Sequence, residues 1–175
     1  MSKLVPGSEL PEIQVKKVTM NELYPLMQEV LESGGSFSLT VTGSSMFPFI
    51  LGGRDQVTLS PISRPLKKYD LPLYRRADGM FVLHRIVKVE KDGSYTCCGD
   101  HQWGLEKGLQ ADQMIALATS FVRKGKPLTN RNLLYRIYRV IWTWIIPLRP
   151  SLFRLLDKWR NRKIFVFRKN RHAKK

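Results

Sequence analysis

A chain of 175 residues, 43% of them hydrophobic, is long enough for one domain with its own core and short for two. Its formal net charge of +16 lies at one end: residues 1–122 carry 13 Lys and Arg against 13 Asp and Glu, whereas residues 123–175 carry 17 against Asp157 alone. This distribution excludes a uniformly basic protein. It predicts an anionic partner, either a lipid surface or nucleic acid, for the C-terminal part only.

The N-terminal residues 1–17 are polar and include Pro6 and Pro11. They contain no apolar run of the length that a secretory signal or a membrane anchor needs. We therefore expect no cleavable signal peptide and no N-terminal membrane anchor.

The first predicted element is an amphipathic helix over Met20–Glu32, in which apolar residues recur at helical spacing. Thr19 or Asn21 can cap its start, and the pair Gly34-Gly35 can end it. Residues 1–35 are thus predicted to be an N-terminal segment with one helix.

Residues 36–42 alternate strictly between apolar and hydroxyl side chains, which predicts a half-buried strand. Gly43 interrupts the alternation, and Pro48 cannot donate to a strand ladder. We therefore expect residues 44–48 to leave the strand as an irregular turn, a place where a reactive hydroxyl is exposed.

Two Asp-Gly pairs, at 78–79 and 92–93, predict hairpin turns in a mostly β region. Residues 81–89 between them are expected to form one strand, with His84 on an apolar face and Arg85 on the opposite face. Burial among apolar neighbours favours a neutral imidazole at His84.

The only two cysteines, Cys97 and Cys98, are adjacent in a predicted strand and so point to opposite faces. We expect no disulfide between them. Without a Cys-x-x-Cys or a His/Cys cluster, we expect no metal site and no cofactor.

Four short motifs follow one another in the predicted β region, between Ser36 and Lys126. They are Gly43-Ser44-Ser45-Met46-Phe47-Pro48, Arg54-Asp55-Gln56-Val57, Leu83-His84-Arg85-Ile86-Val87 and Gly99-Asp100. In order and spacing this series resembles the signal peptidase I and LexA-like clan of serine peptidases. Histidine stands where most bacterial signal peptidases have lysine, so the resemblance is closest to the endoplasmic-reticulum, archaeal and sporulation-type branch.

The resemblance implies a serine peptidase site. Ser45, directly before Met46, would be the nucleophile in preference to the rival Ser44, and His84 would be the base. Asp100 would orient His84, or would instead cap a turn. His101, where relatives often have asparagine, is a second candidate base.

The resemblance also implies an oxyanion hole made of backbone amides, because Gly43 matches members that use no side-chain hydroxyl there. The candidate residues for oxyanion and substrate binding are Gly43, Ser44, Ser45 and Met46.

The C-terminal residues 129–175 are predicted to be a basic amphipathic tail. Over 132–148 a helix is expected, with a narrow polar face of Asn132, Arg136, Arg139 and Thr143 and an otherwise apolar surface. Arginines and Pro147 interrupt the apolar run, which favours a helix lying on an anionic membrane over one that spans it. Docking of this helix on the core, or binding to nucleic acid, stays open.

The sequence thus predicts a small, mainly β fold like that of LexA and signal peptidase, with segments at 1–35, 36–128 and 129–175. The predicted function is a serine endopeptidase that cleaves a leader or signal segment from a precursor polypeptide. We expect it to be peripheral at the cytoplasmic side of a membrane. The alternatives are a LexA-like self-cleaving regulator and a catalytically silent module that binds membrane or nucleic acid.

Overall fold

Helix α1 (Met20–Glu32) is the first element of the computed structural model, which describes residues 18–155. Its N-terminus is capped reciprocally: Glu22 N–H donates to Thr19 Oγ1 at 3.3 Å, and Thr19 N–H donates to the Glu22 carboxylate at 2.7 Å. Met27 and Leu31 are buried and fix α1 on the core. The predicted helix and its Thr19 cap are confirmed, whereas residues 1–17 lie outside the described part.

Within residues 18–155, nine strands and a second helix follow α1. Their bounds are β1 Phe37–Thr40, β2 Gln56–Ser60, β3 Pro72–Arg75, β4 Phe81–Leu83, β5 Arg85–Val89, β6 Tyr95–Cys98, β7 Glu106–Leu109, β8 Met114–Arg123, β9 Lys126–Thr129 and α2 Leu133–Trp144. A short 3-10 turn, Ile146–Leu148, follows α2, and residues 149–155 are again helical. The predicted mainly β fold with a short N-terminal helix and helices at the C-terminal end is confirmed.

The strands form two antiparallel sheets. One has the order β1-β2-β8-β3-β4, with β9 also paired to β8, and the other has the order β5-β6-β7. The first sheet curls into a half-barrel. Strands β1 and β4 are at its two ends, so each has one edge without a partner strand in the described structure.

The predicted Asp-Gly hairpins join β3 to β4 and β5 to β6, and both are confirmed. The prediction of one continuous strand over 81–89 is wrong, because the chain passes from one sheet to the other at His84. His84 therefore lies at the junction of the two sheets, and its neighbour Arg85 is fully buried. A change of sheet depends on non-local pairing and leaves no sign in the local alternation.

Residues of all three predicted segments share one apolar core. Met27 comes from α1, Leu59 and Phe121 come from the curled sheet, and Tyr135 comes from α2. The ring of Tyr135 stacks on Phe49 with 4.5 Å between ring centroids. Helix α2 is thus docked on the β fold, the alternative that the sequence left open for it.

None of the helices between residues 18 and 155 combines the length and the apolar character needed to cross a bilayer. The predicted continuation of the basic tail over 156–175 lies outside the described residues.

Candidate active site

Ser45 lies in an irregular turn between β1 and β2, as predicted. The next residue, Met46, and the nearby Phe49 are each only 2% exposed and anchor the turn in the core. Ser44 points to solvent, whereas Ser45 is half-buried. Burial of Met46 therefore places Ser45 at the edge of the core, where it lines a groove between β1 and β4.

Two glycines allow this turn to close. Gly43 adopts φ 77°, in the left-handed region that favours glycine. Gly52 passes so close to it that a Cβ on Gly52 would lie 2.1 Å from the carbonyl oxygen of Gly43. A side chain at Gly52 would therefore displace the start of the Ser45 turn.

Asp55, from the Arg-Asp motif, fixes the other end of this turn. Its fully buried carboxylate accepts N–H bonds from Leu51 at 2.9 Å and Lys124 at 3.1 Å. The Arg54 side chain, also hydrogen-bonded to it, is the main reason that the pKa of Asp55 is held well below its usual range. Asp55 is thus a structural link between the Ser45 loop and the β8–β9 hairpin.

The turn at 99–102 brings Ser45 and His84 together. His101 N–H donates to the carbonyl oxygen of Ser45 at 2.7 Å. A Cβ placed on Gly99 would lie 2.7 Å from that same Ser45 oxygen and 3.0 Å from Nε2 of His84. Ser45 and His84 therefore flank Gly99, and the close approach of the two segments requires a residue without a side chain there.

His84 is 2% exposed, and its Nδ1 lies 2.9 Å from Oε1 of Glu106 on β7. A carboxylate only accepts hydrogen bonds, so this contact places the imidazole proton on Nδ1. The lone pair then resides on Nε2, the nitrogen beside Gly99 and the Ser45 turn. His84 therefore has the tautomer that a general base at Ser45 needs.

Glu106 is held in turn by three hydrogen bonds from two residues. Arg76 Nε donates to Oε2 at 2.7 Å, and its Nη2 donates to Oε1, while Tyr74 OH donates to Oε2 at 2.9 Å. Burial alone would raise the pKa of Glu106, but the bonds from Arg76 and Tyr74 outweigh it and lower that pKa. Glu106 is therefore an anion with a fixed orientation.

The pKa of His84 is lowered from its ordinary value of 6.5, chiefly because burial disfavours the imidazolium. Glu106 acts in the opposite direction without reversing the shift, and the charge of Arg76 reinforces it. His84 is thus neutral at pH 7 and can accept a proton. The lowered pKa agrees with the neutral imidazole expected from its apolar neighbours.

The expectation that Asp100 orients His84 is not met by the contacts of its carboxylate. Arg85 donates to both oxygens, Nε to Oδ1 at 3.0 Å and Nη2 to Oδ2 at 2.7 Å, and Tyr138 OH donates to Oδ2 at 3.0 Å. Asp100 and Arg85 are both fully buried. Asp100 therefore joins the 99–102 turn to β5 and α2, and Glu106 takes the place next to His84.

His101, the second candidate base, contributes its backbone to the site. Its ring packs edge-on against Phe47, with 5.4 Å between centroids, and at a tilt of 50° against Phe153, with 4.6 Å between centroids. The side chain that lies beside Gly99 is that of Gln102, not that of His101. The Gln102 amide oxygen is 2.9 Å from the point where a Cβ on Gly99 would sit.

The oxyanion prediction concerns backbone amides of the Ser45 turn. The N–H groups of Ser44, Ser45 and Met46 donate to no backbone acceptor within residues 18–155. The amide of Ser45 belongs to the proposed nucleophile itself, so it lies close to any carbonyl that Ser45 attacks. These amides are free to bind the oxygen of a tetrahedral intermediate.

No hydrogen bond joins the Ser45 hydroxyl to His84 among the contacts of the described residues, but both side chains line one groove of about 590 Å³. Bonds between nucleophile and base are often long in the absence of substrate. The groove runs between the edge strands β1 and β4 and is largely apolar. Its other lining residues include Leu39, Val41, Met80, Phe81 and Gln102.

Cys97 and Cys98 are free thiols buried in β6. Burial raises the pKa of Cys97 to about 12, which keeps its thiol protonated and unreactive. Among residues 18–155, no group of three His, Cys, Asp or Glu side chains is placed to hold a metal ion.

The sequence interpretation missed Glu106, Arg76 and Tyr74. Glu106 lies opposite Cys97 in the β6–β7 pairing, and Ile86 lies opposite Cys97 on the other side of β6. For Glu106, the only local sign of a functional role is a carboxylate at the start of a short strand. This sign is weak, because the sequence Glu106-Lys107-Gly108 is also typical of a solvated loop.

Comparison of the chain with protein-family models, with curated proteins and with solved structures found no match. The likeness to signal peptidases consequently stays a prediction from the four motifs.

Proposed function

We propose that this protein is a serine endopeptidase in which Ser45 is the nucleophile, His84 is the general base and Glu106 orients His84. The observation that carries the proposal is the arrangement around Gly99: the Ser45 turn on one side, Nε2 of His84 on the other, and Glu106 bound to Nδ1 at 2.9 Å. A nucleophile, a neutral base and a partly buried anion that orients the base are the parts that acyl transfer needs.

In the first half of the reaction the Ser45 hydroxyl oxygen attacks a peptide carbonyl carbon while His84 Nε2 accepts the hydroxyl proton. The carbonyl oxygen gains the negative charge and is bound by the free amides of the Ser45 turn. When the intermediate collapses, the C–N bond breaks and His84 returns the proton to the leaving amine. An ester of Ser45 remains.

In the second half, water attacks the ester carbonyl and gives its proton to His84. The imidazolium is stabilised by Glu106, whose negative charge raises the pKa of His84 relative to burial alone. Collapse releases the carboxylic acid, and His84 returns its proton to the Ser45 oxygen. Protons and bonds balance without a further reactant.

The groove favours an extended polypeptide as substrate. Strands β1 and β4 border it, and the unpaired edge of a strand can hydrogen-bond the backbone of an added peptide. Apolar residues such as Leu39 and Phe81 line it, so apolar substrate side chains are preferred near the cleaved bond. A leader or signal segment of a precursor has this character, and it is the substrate class that we propose.

A second candidate, self-cleavage, is favoured by one observation. Val18 and Met20 line the same groove, so a stretch of the chain itself borders the path that a substrate would follow. Intact-mass measurement of the purified protein distinguishes this reaction from cleavage of a separate polypeptide.

The test is mass-spectrometric detection of cleavage in a diverse peptide pool, with anionic liposomes present. We expect products from the wild type, none from Ser45→Ala or His84→Ala, and continued cleavage by Ser44→Ala, which removes only the rival hydroxyl. Ser63→Ala, an exposed serine remote from the groove lining, is the matched control. Normal turnover by Ser45→Ala would disprove the assignment of the nucleophile.

A further inference from the structure

Helix α2 turns its aromatic and polar side toward the protein. Tyr135 OH accepts a bond from Arg85 at 3.0 Å, Tyr138 OH donates to the Asp100 carboxylate at 3.0 Å, and Trp142 Nε1 donates to the Asp100 carbonyl oxygen at 2.7 Å. Three hydrogen bonds along one side of the helix fix its rotation about its own axis.

Arg149 extends this docking beyond the end of α2. The residue is 1% exposed, and its Nη1 donates to the carbonyl oxygens of Gly99 at 2.8 Å and Gln102 at 2.7 Å. Its Nη2 donates to the carbonyl oxygen of Trp142 at 2.8 Å. The 99–102 turn that joins Ser45 to His84 is therefore held from outside by the C-terminal helices.

The opposite side of α2 and of the turn after it is apolar and faces solvent. We call this side the apolar face; its residues are Leu133, Leu134, Ile137, Val140, Ile141, Trp144 and Leu148, between 37% and 76% exposed. Soluble monomers rarely expose so many large apolar side chains together, and such a patch usually marks an interaction site. Since α2 cannot rotate without breaking its bonds to the core, residues 18–155 leave this face uncovered.

The chain segment that contains the apolar face carries only positive charges. Residues 123–155 include no Asp or Glu, and Arg131, Arg136 and Arg154 are exposed beside the face or just after it. The chain beyond, residues 156–175, carries nine Lys and Arg against one Asp. An occupant of this surface must therefore tolerate or attract many cations.

We propose that the apolar face lies in the interface of an anionic lipid bilayer, with α2 parallel to the membrane surface. An apolar stripe with a tryptophan, flanked by arginines, is the composition that inserts shallowly beneath anionic headgroups. A second copy of the chain would bring its own net charge of +16 against these arginines, so charge complementarity favours lipid over self-association.

The C-terminal helices, of which α2 carries the apolar face, also contact the turn beside the proposed site. Phe153, near the end of the described helix, contacts the rings of His101 and Trp103, with 4.6 and 6.2 Å between centroids. Trp103 is 55% exposed and lies just after the turn that links Ser45 and His84. The lipid proposal does not depend on catalysis, because binding is measured without a substrate.

The experiment is sedimentation of the full-length protein with vesicles of phosphatidylcholine alone or of phosphatidylcholine with phosphatidylglycerol. The test variant is Leu134→Glu with Ile141→Glu. The matched control is Leu26→Glu with Val89→Glu, which changes the charge equally at two exposed apolar residues elsewhere. All four side chains are exposed, and thermal unfolding by circular dichroism verifies that each protein is folded.

We expect binding to the vesicles that contain phosphatidylglycerol, weaker binding by at least about tenfold in the test variant, and a change within about twofold in the control. Equal binding by test and control variants would overturn the proposal, because the basic residues alone would then account for it. Equal binding to both lipid compositions would overturn it as well. So would a wild-type dimer, seen by light scattering, that the test variant dissociates without any vesicle binding by the wild type.

Discussion

Replacing Asp100 and Glu106 separately distinguishes a carboxylate that holds the fold from one that serves the reaction. Asp100→Asn removes the charge that balances the fully buried Arg85. Leaving one member of a buried ion pair without its partner costs about 3–5 kcal/mol in the free energy of unfolding. For a chain of this size the melting temperature then falls by about 6–20 °C.

Glu106→Gln is expected to behave in the opposite way. The Glu106 side chain is 24% exposed and that of its partner Arg76 is 30% exposed, so solvent can replace much of their contact, and stability changes by about 1 kcal/mol or less. The neutral amide no longer fixes the proton on Nδ1 of His84 or stabilises the imidazolium. We expect the cleavage rate to fall by roughly 10²–10⁴.

The assay combines thermal and urea unfolding with the rate of cleavage of a peptide identified in the pool. Asp112→Asn, an exposed carboxylate, is the control for the amide substitution and should match the wild type in both measurements. Unchanged stability with lost cleavage in Asp100→Asn, or normal cleavage in Glu106→Gln, would refute the assignment of the two carboxylates.

The remaining predictions concern the geometry and the titration of the site. Gly99→Ala inserts a methyl group 2.7 Å from the Ser45 carbonyl oxygen and 3.0 Å from His84 Nε2, so we expect at least about a hundredfold slower cleavage, whereas Gly104→Ala, with no atom within 4 Å, is the silent control. Equal rates for the two variants would contradict the role given to Gly99. In a pH profile of kcat/KM, activity should be lost only below pH 6.5, because the pKa of His84 is lowered and its neutral form is the base. Arg76→Gln removes a charge that lowers this pKa and should move the acidic limb to higher pH; a shift to lower pH would count against the argument.

Several elements of the fold were decided by residues close together in sequence. Thr19 and Glu22 set the start of α1, and the alternation over 36–42 gives β1 its half-buried face. The Asp-Gly pairs give the two hairpins. Capping, side-chain periodicity and turn geometry act within a few residues, so they can be recognised without knowledge of the tertiary structure.

The pairing of Ser45 with His84 was predicted from motif order, and both residues line one groove in the structure. Motif order did not predict which carboxylate contacts His84. Asp100 lies within the 99–102 turn of the site, yet Arg85 and Tyr138 donate to its carboxylate. Glu106 reaches His84 only because β7 pairs with β6 in one particular register.

The sequence by itself determined the mainly β character, the first helix, the hairpins and the strongly basic C-terminal end. The tertiary structure decided which carboxylate faces His84, where the chain changes sheet, and which side of α2 is covered. These depend on strand register and on buried partners far apart in the chain: Arg85 and Asp100 bind the side of α2 that carries its tyrosines and Trp142, and thereby leave its apolar face outside. An amphipathic pattern shows that a helix has two sides, but only its packing partners determine which side is buried.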